Sequence, residues 1–157
     1  MRVLLIRHAR TAWNAERRVQ GRTDTPLDKT GRAQAQALAG ALRGRPFAAV
    51  YTSPLSRAVD TARQIAADAG VPLQEDKRLV EYDFGTWEGL TFDELILRYP
   101  EQMAESRKRP FTFHVPGAER PQDALARITD FLAGLPGTGQ GAVAVVSHTL
   151  PIKIAIA

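Results

Sequence analysis

Three short apolar runs punctuate the chain, separated by stretches in which apolar positions recur at helical spacing. The first, Val3-Leu4-Leu5-Ile6, sits inside a segment from Arg2 to His8. An uninterrupted run of this length predicts a strand buried on both faces of a parallel sheet. "FAAVYTS" (47–53) and "GAVAVVS" (141–147) read the same way, the latter ending against His148. A weaker strand is expected near "LQED" (73–76) or "RLVEYD" (78–83).

Between them, "RAQAQALAGALRG" (32–44) is alanine-rich and predicts a helix with Gly44 as its C-terminal cap. Pro54 starts a second helix through "LSRAVDTARQIAADAG", stopped by Gly70. "TFDELILRYP" predicts a short helix capped by Thr91, with Glu94 completing a capping box. "PQDALARITDFLAGL" (121–135) places Ala124, Leu125, Ile128, Phe131, Leu132 and Leu135 on one helical stripe. "GRTDTPLDKTG" (21–31) and "SRKRPFTFHVPGAE" (106–119) read as loops, and Pro151 falls in the first turn of a helix that has barely begun at Ala157.

Alternating strands and helices predict an α/β fold over residues 1–157. The expected architecture is a single-domain three-layer sandwich, with a mostly parallel central sheet and helices on both faces. The abrupt end suggests a C-terminus that is short for such a domain. Ligands of these sheets bind outside the carboxyl ends of the strands. Arg7-His8, the Ser53–Arg57 segment and His148 all fall at that edge.

Composition narrows the chemistry. With 157 residues the chain can bury a sizeable core, and 44% hydrophobic with 24% charged residues is ordinary for a globular domain. No cysteine is present, which excludes disulfides, thiolate catalysis and cysteine-based metal sites. No apolar run is long enough to span a membrane, and "VLLI" is too short for a signal peptide, so a cytoplasmic location without membrane partners is expected. The net charge is +4, yet the arginines are scattered and the longest cationic cluster is Arg107–Arg109. No basic, aromatic-interleaved stripe suits a nucleic acid, so none is expected as a partner. A small anionic substrate accounts for the charge. A homodimer is the default assembly.

Candidate chemistry gathers at the strand ends. His8 stands between Arg7 and Arg10 in sequence, and neighbouring cations disfavour a protonated imidazole, so the stretch reads as an anion site. Of the other two histidines, His148 closes a strand while His114 reads as a loop residue near an entrance. The planar forks of Arg7 and Arg57 suit phosphate, and Arg57 falls in a first helical turn beside backbone N–H groups. Asn14 can donate an amide hydrogen to the same anion. Glu81, in "LVEYDFGTWEG", is the leading candidate proton donor, because a partly apolar strand would raise its pKa. Glu88 and Asp83 compete for that role, and spacing does not choose between them. Together the parts suggest phosphoryl transfer through a histidine, with cations offsetting charge on the phosphoryl oxygens. No glycine-rich P-loop with its lysine is present.

"LLIRHARTAWN" resembles the signature of the histidine phosphatase superfamily, also called the phosphoglycerate mutase-like family. The resemblance continues in order through "GRTDTPLDKTGRAQA", "VYTSPLSRAVDTA", "LVEYDFGTWEG", "PGAER" and "VVSHT". It implies that His8 becomes phosphohistidine, that Arg7, Arg57 and His148 form the phosphate pocket, and that Glu81 is the proton donor. It further implies that Asn14 and the loop Gly21, Arg22 and Thr23 touch phosphate or substrate, with Thr149 beside the pocket and neither metal nor cofactor required. Ala9 and Thr149 stand where the family usually has glycine, and an added Cβ there can crowd a close backbone approach to phosphate. The 67 positions from Glu81 to His148 imply a small cap, and "FGTWEG" is more similar to the phosphatase branch. The expected activity is therefore a phosphomonoesterase acting on a small phosphorylated substrate. Phosphoglycerate mutase-type transfer, a silent phospho-ligand binder and a metal-dependent hydrolase are the alternatives.

Overall fold

The computed structural model describes residues 2–109, 112–136 and 141–157. Its centre is a four-stranded parallel sheet, β1 (Arg2–Arg7), β2 (Phe47–Thr52), β3 (Leu73–Glu75) and β4 (Ala142–Ser147), in the order β1-β4-β2-β3. Helices α2 (Lys29–Leu42) and α3 (Ser56–Ala69) cover one face, while α6 (Pro121–Ala133) and α7 (Thr149–Ile156) pack against the other. The remaining helices are α1 (Ala12–Ala15), α4 (Phe92–Arg98) and α5 (Pro100–Lys108). The chain steps across the sheet from β1 through β2 to β3, then returns to insert β4 between β1 and β2. A right-handed crossover that reverses direction must lie on the opposite face, which is where α6 is found.

The core follows from the apolar runs. Val143, Ala144, Val145 and Val146 are all buried in β4, the strand with a partner on each side. Ala58, Ala62 and Ala66 recur every fourth residue on α3, and their small side chains bring its backbone close to Val50, Ala144 and Val146. Ile128 and Phe131 of α6 close the other face over Val143 and Val145. A third, smaller core of Trp87, Leu95, Met103 and Val115 belongs to the excursion between β3 and α6.

Several local expectations change. β1 is an edge strand among the described residues, so Val3, Leu4 and Leu5 are only half-buried rather than covered on both faces. Helix α2 begins three residues early because Asp28 caps it, its Oδ1 accepting from the Gly31 N–H at 2.7 Å. Gly31 is thus helical, and a Cβ there would lie 1.9 Å from the Arg10 carbonyl oxygen. That helix ends at Leu42, short of Gly44. Pro54 stands before the cap residue Leu55 instead of inside the first turn of α3, whereas Gly70 ends the helix in the left-handed region as expected. Of the two candidate third strands, Leu73–Glu75 forms. "RLVEYD" instead begins in a tight 3₁₀ turn (Lys77–Leu79) and continues as loop.

Thr91 and Glu94 form the expected capping box on α4. Helix α5 runs into the segment 106–119 expected to be loop, with Pro100 in its first turn. Residues 110 and 111 of that loop lie outside the described residues. Leu125 of α6 is 53% exposed, because it points off the stripe that buries Ala124, Ile128 and Phe131.

Candidate active site

Strand register builds the site. Arg7 pairs with Ser147 and Thr52 with Val146, so His8, Ser53 and His148 leave adjacent strand ends together. The His8 N–H donates to the Ser147 carbonyl and the Ser53 N–H to the Val146 carbonyl, each at 3.0 Å. The imidazoles of His8 and His148 consequently stand 5.1 Å apart, tilted by 54°. Both are buried.

His8 Nδ1 lies 2.7 Å from the Ala9 carbonyl oxygen. A carbonyl only accepts, so Nδ1 carries the hydrogen and Nε2 keeps its lone pair. Burial pushes the His8 pKa down to about 4, helped by the charges of Arg57 and Arg7 and opposed by the Ala9 bond. His148 is lowered further, to about 2, by burial first and then by Arg57, His8, Arg127 and Arg7. Its Nε2 is 2.8 Å from Ser53 Oγ, which itself accepts from the Leu55 N–H. The arrangement that satisfies most of these groups has the Ser53 hydroxyl donating to Nε2, which leaves a hydrogen on Nδ1. That Nδ1 is buried without a partner among the described residues.

Arg57, in the first turn of α3, is completely buried and forms no ion pair among the described residues. Its two terminal nitrogens donate to the carbonyls of Thr23 at 2.9 Å and Gly21 at 2.7 Å. Its Nε has no acceptor among the described residues. Burial weakens its hold on its proton, while Glu81, Asp24 and Glu88 act the other way. At the same helix end, the backbone N–H of Ser56 donates to Asp24 Oδ1 at 2.9 Å. Arg7 is exposed at the end of β1 and makes no hydrogen bond or ion pair among the described residues. Arg10 does not flank His8 as the sequence order suggests: it pairs with Asp28 at 2.8 Å.

Glu81 emerges from the loop after the 3₁₀ turn, not from a strand, and is buried. Its Oε1 accepts from the N–H groups of Tyr82 at 2.9 Å and Leu150 at 3.3 Å, and its Oε2 from Thr149 at 3.1 Å. The carboxyl thereby caps α7, whose own cap residue, His148, supplies no side-chain bond. Burial raises the Glu81 pKa, against the pull of those N–H groups and of Arg57.

The competing acids separate on geometry. Glu88 accepts from the N–H groups of Arg22, Thr23 and Phe84 and from the Thr23 hydroxyl, so it braces a loop. A Cβ on Gly21 would lie 1.8 Å from its Oε1, which requires glycine there. Asp83 caps the Gly85 N–H at 2.8 Å. Gly21 and Thr23 therefore present their carbonyls to Arg57, and the Thr23 N–H and hydroxyl both serve Glu88. Arg22 reaches Glu119 at 3.1 Å. Asn14 completes a capping box with Thr11 through its Oδ1, and its Nδ2 donates to no group among the described residues.

The two departures from glycine also resolve. The Ala9 N–H donates to Thr61 Oγ1 at 2.9 Å, and the Thr149 N–H to Glu81, so both are engaged within the protein. Sequence reasoning missed Ser53 as a specific partner, along with Thr61, Asp24 and Arg127. His114 is exposed and bonded only to its own turn, through the Ala118 carbonyl at 3.0 Å. Among the described residues no three His, Asp or Glu side chains cluster as metal ligands, and no helix is long and apolar enough to cross a membrane.

Residues 3–157 match the family model of the histidine phosphatase superfamily, branch 1. The chain belongs to that superfamily. It is 32% identical over 154 residues to phosphoserine phosphatase 1 of Hydrogenobacter thermophilus, covering 98% of this chain and 73% of that protein. It is 40% identical over 158 residues to a bifunctional protein of Mycobacterium tuberculosis, covering 98% of this chain but only 42% of the relative. The α-ribazole phosphatase of Shigella flexneri superposes with a TM-score of 0.88 at 30% identity, over 99% of this chain and 78% of that one.

The two imidazoles and the buried Glu81 carboxyl carry a stability signature. His8 and His148 have folded pKa values below their unfolded value of about 6.5, so the stability they contribute is present above pH 6.5 and lost as pH falls. Glu81, raised by burial, acts oppositely: its contribution is present below its unfolded value and lost as pH rises through its folded one. Near pH 5.5 the unfolded chain carries about 1.8 protons on these two histidines, and the folded chain at most one on Glu81. Stability should therefore fall towards acid by at least about 1 kcal/mol per pH unit around pH 5.5. Urea midpoints at pH 7 and pH 5 measure this, and a higher midpoint at pH 5 would overturn it.

Proposed function

We propose that this chain is a metal-independent phosphomonoesterase for a small phosphorylated metabolite, working through a phosphohistidine on His8 with Glu81 as proton donor. One observation carries the reading. Beside a neutral imidazole with a free Nε2 lone pair, two buried nitrogens, Arg57 Nε and His148 Nδ1, have no acceptor among the described residues. Unpartnered buried donors are costly, and a phosphoryl oxygen supplies what they lack.

In the first step His8 Nε2 attacks phosphorus and the ester P–O bond breaks. Arg57, Arg7 and the Nδ1–H of His148 offset charge on the phosphoryl oxygens. Glu81 Oε2, which accepts only one N–H, has the free lone pair that holds the proton for the leaving oxygen. In the second step water attacks the phosphohistidine, its proton passes to the Glu81 carboxylate, and phosphate and neutral His8 are released. A neutral His8 and a protonated Glu81 coexist above about pH 4, up to the raised pKa of Glu81, which supports an acid-shifted optimum.

Mutase-type transfer is the second reading, because relatives named phosphoglycerate mutase are also matched. The test is p-nitrophenyl phosphate hydrolysis in excess EDTA, with acid-labile phosphoprotein measured after rapid quench and base stabilisation. EDTA-resistant phosphate release with a transient phosphoprotein is expected. Loss of turnover to EDTA would overturn the metal-free mechanism. Faster interconversion of phosphoglycerates than phosphate release would assign a mutase, and phosphate binding without turnover a silent binder.

A further inference from the structure

The segment that delivers Glu81 to the site has no strand to hold it. After the 3₁₀ turn the chain runs as loop, and the carbonyls of residues 78–81 are all taken by side chains. Ser147 Oγ donates to the Leu79 carbonyl at 2.7 Å, one residue before His148. Arg127, from α6, takes the other three. One terminal nitrogen donates to the carbonyls of Arg78 at 2.6 Å and Val80 at 2.7 Å, and the second reaches the Glu81 carbonyl at 3.4 Å. Its remaining hydrogens form a bidentate pair with Glu119, at 2.7 and 2.9 Å. All five guanidinium N–H groups are thus engaged. Both side chains are largely buried, at 15% and 8% exposure, in contrast to the other ion pairs among the described residues.

We propose that Arg127, oriented by Glu119, is a positioning residue that fixes the backbone of Glu81 so that its carboxyl meets the leaving oxygen. The inference rests on the reading of Glu81 as proton donor. Lysine cannot replace the fork: an ammonium has three hydrogens on one atom and cannot span three carbonyls and a carboxylate. Glu119 also holds Arg22, whose Nε approaches the same Glu81 carbonyl at 3.4 Å, so the pair fixes that carbonyl from two sides.

A misplaced acid has a signature that a general loss of structure lacks. p-Nitrophenolate departs without a proton, whereas phenolate requires one. The experiment compares kcat/KM on p-nitrophenyl phosphate and phenyl phosphate for wild type, Glu81→Gln, Arg127→Lys and Glu119→Gln, with melting temperatures to confirm folding. Arg127→Lys is expected to lose about 10- to 100-fold on phenyl phosphate while staying close to wild type on p-nitrophenyl phosphate. Glu119→Gln should show the same bias to a smaller degree, and Glu81→Gln a larger one. Equal losses on both substrates, or none, in folded Arg127→Lys would overturn the positioning role. If Glu81→Gln discriminates and Arg127→Lys does not, only the positioning proposal falls. If Glu81→Gln itself shows no leaving-group bias, the donor assignment fails and the positioning role falls with it.

Discussion

Replacing His8 with alanine is expected to reduce phosphate release by at least about 10,000-fold, the scale seen when a nucleophile that forms a covalent intermediate is deleted. The expectation follows from the tautomer. The Ala9 carbonyl holds the Nδ1 hydrogen, so Nε2 is the lone pair available, and burial with Arg57 keeps it unprotonated down to about pH 4. No neighbouring group can take over: His148 Nε2 is occupied by Ser53, and its Nδ1 carries hydrogen when Ser53 donates. Oxyanion binding should survive, since Arg57, Arg7 and His148 remain. The measurement is turnover of p-nitrophenyl phosphate beside vanadate affinity in the same variant. Residual turnover within about tenfold of wild type would show that another group attacks phosphorus, and the covalent assignment to His8 would be lost.

The strand ends that bring these residues together were legible because a polar residue that ends an apolar run in a parallel sheet falls at one edge, where ligands of such sheets bind. Arg7, His8 and His148 needed no more than that. The register that sets the two imidazoles side by side was not legible, because strand order depends on which face each crossover takes. Arg10 shows the limit of adjacency. It is two residues from His8, but Asp28, eighteen residues away, turns its guanidinium aside.

Glu81, Glu88 and Asp83 could not be ranked from spacing, since residues 81–88 contain all three and local pattern says nothing of which carboxyl turns inward. The contacts that distinguish them come from Thr149 and Leu150 for Glu81 and from the Gly21–Thr23 loop for Glu88, far away in sequence. Gly31 ends the stretch expected to be loop, whereas it is helical, and glycine is required there by the Arg10 carbonyl pressed against its Cα. Leu125 fits a stripe by period alone and is exposed, because the neighbouring elements bury only the narrower face through Ile128 and Phe131.

Arg57→Lys should produce the second largest effect, and it separates two roles that one side chain combines. The guanidinium holds the Gly21 and Thr23 carbonyls with its terminal nitrogens and leaves Nε–H without an acceptor among the described residues. Lysine keeps a charge, but its three hydrogens sit on one atom and cannot reach the positions of both terminal nitrogens and of Nε together, so at least one acceptor loses its partner. The expected cost is about 2–4 kcal/mol of stability, together with about a 1,000-fold fall in kcat/KM from weaker stabilisation of the phosphoryl oxygens. Ligand linkage distinguishes the two. Inorganic phosphate should raise the melting temperature of wild type, since binding only the folded state stabilises it by mass action, and should barely move that of Arg57→Lys. A variant that melts lower but retains the full phosphate shift would make Arg57 a brace for the Gly21–Thr23 loop alone. The phosphate would then be held by Arg7 and His148 without it.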